Sequence, residues 1–114
     1  MSFFESYQQT VFFNFPTLTA PGVTDIVDVY AVNYLSTRNY TLNVTVTNIN
    51  TNVVVRLDGS LDGENFGAMI SNTITQNGTY AFNAYGFPMK KLRANFFREV
   101  GGTSAEVDFN IAAN

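Results

Sequence analysis

Tyr40-Thr41-Leu42-Asn43-Val44-Thr45-Val46-Thr47 decides the fold. Apolar and polar side chains alternate without a break, so Tyr40, Leu42, Val44 and Val46 share one face and the Thr and Asn residues share the other. That is the period of a half-buried strand. The pattern continues toward the C-terminus, where Val53, Val55 and Leu57 alternate with Val54, Arg56 and Asp58. The intervening Asn48-Ile49-Asn50-Thr51-Asn52 reads as a loop folding these two strands into a hairpin. Turns are expected next at Gly59 and Gly63, then a short strand over 66–70 and a turn at Asn77-Gly78. Tyr80, Phe82 and Ala84 face one way in the following strand, which ends at Gly86-Phe87-Pro88. Leu92, Ala94 and Phe96 then alternate with Lys91, Arg93 and Asn95 in a strand running to Glu99. Gly101-Gly102 marks a turn, and Ala105, Val107, Phe109 and Ile111 alternate with Glu106, Asp108 and Asn110 to close the chain. Toward the N-terminus, strands are expected over 11–15, before Pro16, and over 25–32, after Pro21-Gly22.

About eight short strands and no helix define an all-β protein. Each strand has one apolar face, so two antiparallel sheets must bury those faces against each other, in a β-sandwich of jelly-roll or immunoglobulin-like type. The 114 residues make one domain. The sandwich is expected over 21–114, and residues 1–20 form an aromatic N-terminal arm or edge strand. Phe3, Phe4, Phe12, Phe13 and Phe15 crowd the first fifteen residues, more aromatic surface than a terminal strand needs. Phe3, Phe4, Phe12 and Phe13 are therefore the candidate interface with another subunit.

Composition narrows the chemistry. Without Cys or His there is no disulfide, no thiolate nucleophile, no Ser-His-Asp triad and no imidazole or thiolate metal site. Catalysis is disfavoured from the outset, and no cofactor is implied. Six basic and nine acidic residues give a net charge of −3, which disfavours a phosphate-tracking nucleic-acid surface. The one basic concentration, Met89-Lys90-Lys91-Leu92-Arg93 with Arg98, reads as a solvated strand face. Surface polarity rests instead on 14 Asn and 13 Thr. Such neutral groups are desolvated in pairs more cheaply than ions, which suits packed subunits. No apolar run reaches membrane-spanning length, and Met1 to Gln9 lacks the basic and apolar regions of a signal peptide. The chain is expected to stay in the cytosol or in a particle assembled there. The sequon matches at Asn39, Asn43 and Asn77 carry no weight without export.

Two constellations invite chemical readings. Asp58, Ser60 and Asp62 place oxygens at alternate positions with Gly63 sixth, resembling the opening of a calcium loop. Met69 stands at the twelfth position in place of the bidentate carboxylate, and the flanks read as strands, so a structural turn is the preferred reading. A glycosidase needs two carboxylates at a defined separation, and nothing among the scattered Asp and Glu selects a pair. A carbohydrate-binding module is the better rival. Its platforms would be Tyr7, Tyr30, Tyr34, Tyr40, Tyr80 and Tyr85, although the chain has no Trp.

From Val53 the pattern becomes more specific. Val53-Val54-Val55-Arg56-Leu57-Asp58-Gly59-Ser60-Leu61-Asp62-Gly63-Glu64-Asn65-Phe66 is followed by Asn77-Gly78-Thr79-Tyr80, Lys91-Leu92-Arg93-Ala94-Asn95-Phe96, Gly101-Gly102-Thr103 and a closing strand. Over residues 53–111 this order resembles the small β-sandwich virion structural proteins of tailed bacteriophages, with Phe66 where those often carry Trp. The resemblance implies a non-enzymatic virion subunit: a capsid decoration or auxiliary protein bridging major capsid subunits, a head-fibre base, or a tail-associated subunit. It also implies homo-oligomers, other virion subunits as partners, no nucleic acid or membrane partner, and a location in the virion. A carbohydrate- or host-surface-binding module of a fibre remains the alternative.

Overall fold

The computed structural model describes residues 10–29, 39–86 and 88–114. Nine strands lie among them: β1 (Val11–Asn14), β2 (Gly22–Val23), β3 (Val27–Asp28), β4 (Asn39–Thr47), β5 (Asn52–Ser60), β6 (Gly67–Ile74), β7 (Gly78–Tyr85), β8 (Lys91–Val100) and β9 (Glu106–Ala113). All pairings are antiparallel, in one sheet of order β1-β9-β4-β7 and a second of order β2-β8-β5-β6, with β3 also on β8. The molecule is an all-β sandwich, as the alternation requires. Tyr40, Leu42, Val44 and Val46 are buried from one sheet, and Val53, Val55, Leu57, Leu92 and Phe96 from the other. Val107, Phe109 and Ile111 complete that core from β9.

The expected hairpin between β4 and β5 does not form. β4 pairs with β7 and β9, whereas β5 pairs with β6 and β8 in the opposite sheet. The connecting residues are a crossover between layers, with Asn48 at φ +59°, a conformation Asn tolerates better than most residues. The turns at Asn77-Gly78 and Gly101-Gly102 likewise carry the chain from one sheet to the other. Alternation specifies which side of a strand is apolar, and that requirement is met equally by a neighbour in the same sheet or by a change of layer.

Local departures have local causes. Gly59 lies inside β5, opposite Gly67 and Leu92, and the turn comes at 61–66 instead. Of the strand expected over 25–32 only β3 forms among the described residues, positions 30–32 lying outside them, and β2 precedes it as a second short contact with β8. Between β2 and β3 Thr24 is buried, its Oγ1 accepting the Ala94 N–H at 2.9 Å and donating to the Asp25 carbonyl at 3.1 Å. In β8 the register slips by one residue opposite Val54 and Val55, so Phe97 is extra to the ladder and half-exposed.

Candidate functional site: a polar sheet face and the loop after β5

The outer face of β1-β9-β4-β7 is built from the polar half of each alternating strand. Register brings Thr41 beside Asn83 and Ala112, Asn43 beside Ala81 and Asn110, and Asn14 beside Asn110. Thr41 Oγ1 donates to Asn83 Oδ1 at 2.7 Å, and the Thr45 and Thr79 hydroxyls lie 3.0 Å apart. Cross-strand pairs of this kind hold a sheet face in a fixed shape. The carboxylates on the face, Asp108 and Glu106, belong to the start of β9 and are engaged. Asp108 accepts the Thr17 hydroxyl, and Glu106 accepts from Asn48 Nδ2 at 3.2 Å. Phe12 stands at the margin, 71% exposed, beside a shallow depression of about 350 Å³ lined by Asn14, Thr41, Asn43, Asn110 and Ala112.

The four interface candidates separate by strand parity. Phe12 projects outward, whereas Phe13 points between the sheets and packs against the core. Phe3 and Phe4 lie outside the described residues. Among the tyrosines, Tyr7, Tyr30 and Tyr34 also lie outside them. Tyr40 is buried, with its hydroxyl accepting the Met89 N–H at 2.9 Å, and Tyr80 is half-buried. Tyr85 is 65% exposed.

Asp58, Ser60 and Asp62 divide into two arrangements. Asp58, 4% exposed on the outer side of β5, accepts from Arg93 Nε at 3.0 Å and from Asn95 Nδ2 at 3.1 Å. Asp62 turns into its own loop. Its Oδ1 accepts the Asn65 and Glu64 N–H groups, both at 2.8 Å, and the Ser60 hydroxyl at 2.9 Å, while Oδ2 accepts from Asn65 Nδ2 at 2.6 Å. The Asn65 backbone and side-chain bonds, followed by those from Glu64 and Ser60, hold the Asp62 carboxyl far below the ordinary carboxylate range. Ser60 Oγ also accepts the Gly63 N–H at 2.9 Å. The arrangement is a self-capped turn whose oxygens are already met by protein donors.

Above this turn the Arg93 guanidinium lies over the Phe66 ring, 4.4 Å from its centroid, and Arg56 covers Phe97 at 3.4 Å. Lys91 pairs with Asp28 at 3.0 Å. Within the basic segment, Lys91 and Arg93 are thus engaged by carboxylates and an aromatic ring on a strand face. Sequence reasoning did not join Arg93 to Asp58 and Phe66. The usable signal was that Asp58 and Arg93 both stand at outward positions of alternating strands. At the end of the sandwich Leu61, Ala68, Met69 and Met89 wall an open cleft of about 470 Å³, with Asp62 and Asn65 on its rim.

The class these features define is an antiparallel two-sheet β-sandwich with one outer face dominated by amides and hydroxyls and another on which Arg and Lys side chains meet carboxylates and aromatic rings. No family model matches the chain, and no curated protein matches it in sequence. Among solved structures it is similar to the SPBc2 prophage-derived protein YomS, with a TM-score of 0.61 at 11% identity over 93% of this chain and 94% of that one. It is also similar to a structure of Bacillus endospore appendages, described as disulfide-linked pili (TM-score 0.42, 17% identity, covering 92% and 82%). The Tobacco streak virus coat protein is a further neighbour (TM-score 0.41, 8% identity, covering 94% and 86%). The prophage-derived protein shares the fold over nearly the full length of both chains.

Proposed function

We propose that the chain is a non-enzymatic virion structural subunit of a tailed bacteriophage, working as a capsid decoration or auxiliary protein that bridges major capsid subunits. The observation that carries this reading is the outer face of β1-β9-β4-β7, where amides and hydroxyls are interlocked and the exposed Phe12 stands at the margin. The amides and hydroxyls of this pre-organised face are desolvated in pairs more cheaply than ions, and Phe12 supplies an apolar anchor. The full-length likeness to a prophage-derived protein supports the phage setting. The strand order supports a jelly roll, with β2 and β3 as one interrupted strand and the chain switching sheets after β1, β3, β4, β6, β7 and β8. Double-sheet jelly rolls recur in viral capsid domains. The mechanism is mechanical: each copy adds buried area between shell subunits, and repetition over many sites makes modest contacts collectively strong. Its setting is the virion, with other virion subunits as partners.

Purified protein should co-sediment with empty phage heads at saturable stoichiometry and raise their disruption temperature. Failure to add to heads of the encoding phage removes the reading. The exposed Tyr85 favours a second one, a carbohydrate- or host-surface-binding module of a fibre. A glycan array without hits disposes of it.

A further inference from the structure

We infer that β7 is the edge through which two copies of this chain pair, antiparallel and about a two-fold axis, joining their β1-β9-β4-β7 sheets into one. The inference deepens the assembly reading and rests on it. β7 ends its sheet: its eight residues pair with β4 in unbroken register, and no other described strand pairs with it. Its outer edge therefore carries a row of backbone donors and acceptors suited to another strand.

The opposite side of the sandwich carries the devices that blunt an edge. β1 is four residues long and is followed by Pro16, while β2 and β3 are two residues each, with Pro21 and Asp25 beside them and Asp28 within β3. β7 has no proline, no bulge and no charge. No Asp, Glu, Lys or Arg stands anywhere between Glu64 and Lys90, a stretch that includes both β6 and β7. For a chain of net charge −3, a charge-free edge is a surface that a second copy approaches without local repulsion.

The side chains of β7 also complement themselves. Tyr80 and Phe82 face the seam between the sheets and are only half-buried, their rings parallel within 2° at 6.3 Å between centroids. Antiparallel self-pairing centred on Phe82 sets Phe82 against its copy and Tyr80 against Ala84, large against small, on the apolar side. On the outer side Ala81 meets Asn83 and Thr79 meets Tyr85. This register keeps inward residues opposite inward ones, as the pleat demands.

The test uses charge at the exposed outer positions. Ala81→Lys with Asn83→Lys places like charges opposite each other twice across the axis, as does Ala81→Glu with Asn83→Glu. The wild type should sediment as a dimer. Each double variant should keep the wild-type circular dichroism and dissociate with a constant raised about thirtyfold. Mixing the two variants should restore the dimer, and high salt should weaken that mixed pair. Amide exchange of residues 79–85 in the wild type should slow with rising protein concentration, a readout that needs no variant. The inference is overturned if the wild type is monomeric up to about 0.1 mM. Variants that pair as tightly as the wild type, or a mixture that stays monomeric, overturn it equally. A monomer that still binds empty heads refutes the edge pairing alone, and a dimer that never binds them refutes the shell reading alone.

Discussion

Phe12 and Phe13 are adjacent in sequence and on opposite faces of β1, and truncating each in turn tests the proposed shell contact apart from folding. Phe12 is 71% exposed. An aromatic side chain carries roughly 150–250 Å² of surface, so about 140 Å² of Phe12 stays in water. At ~25 cal/mol per Å², covering it against a shell subunit is worth about 3.5 kcal/mol. Phe12→Ala keeps a methyl group, leaving an expected loss of about 2–3 kcal/mol, or roughly 30- to 150-fold in shell affinity. The same substitution should change folding stability by no more than ~0.5 kcal/mol, since an exposed ring has little to lose on truncation. Phe13 packs against the core from the other face of β1, so Phe13→Ala should lower stability by about 2–3 kcal/mol. Urea denaturation measures the folding term, and titrated co-sedimentation with empty heads measures the binding term. If Phe12→Ala binds heads like the wild type, or unfolds as easily as Phe13→Ala, the assignment of the two faces is wrong.

Gly101 adopts φ +86°, and a Cβ there would lie 2.1 Å from Thr51 Oγ1, so Gly101→Ala should cost about 2–4 kcal/mol in a urea melt. Gly67, where an added methyl meets only open space, should accept Ala within about 0.5 kcal/mol, and equal costs at the two sites would contradict the geometry. Asp58→Ala strands Arg93 Nε and Asn95 Nδ2 and should cost about 2–3 kcal/mol. Arg93→Met in that background should recover part of it, and strict additivity in the four-protein cycle would show the pair uncoupled. Asp62 titrates below its ordinary value near 3.8 in the folded protein, so its charged form is the one folding favours. Its contribution is complete above that ordinary value and fades as pH falls through the lower folded one. The stability gap between wild type and Asp62→Ala should thus be constant from pH 5 to 7 and shrink below about pH 4. A gap that widens on acidification would refute the hydrogen-bonded turn.

Alternation from Tyr40 to Val46 and from Val107 to Ile111 was enough to assign the strands and the core, because burial of every second side chain is a local property of a pleated chain. Partners were a different matter. Val11 lies opposite Ala113, and Tyr40 lies between Ala84 and Ala113, so the neighbours are set by closure of two sheets across the whole chain. No local pattern distinguishes a hairpin from a change of layer, which is why the strands flanking Asn48 part company. The site was legible to the same depth. The phenylalanine cluster and the Asp58 to Asp62 turn stood out by composition. Only the tertiary structure sent Phe12 outward and Phe13 inward, and turned Asp58 toward Arg93 while Asp62 capped its own loop. Side-chain type is written residue by residue, but the face a side chain meets depends on strand register, bulges and layer crossings, which are decided by contacts far apart in the chain.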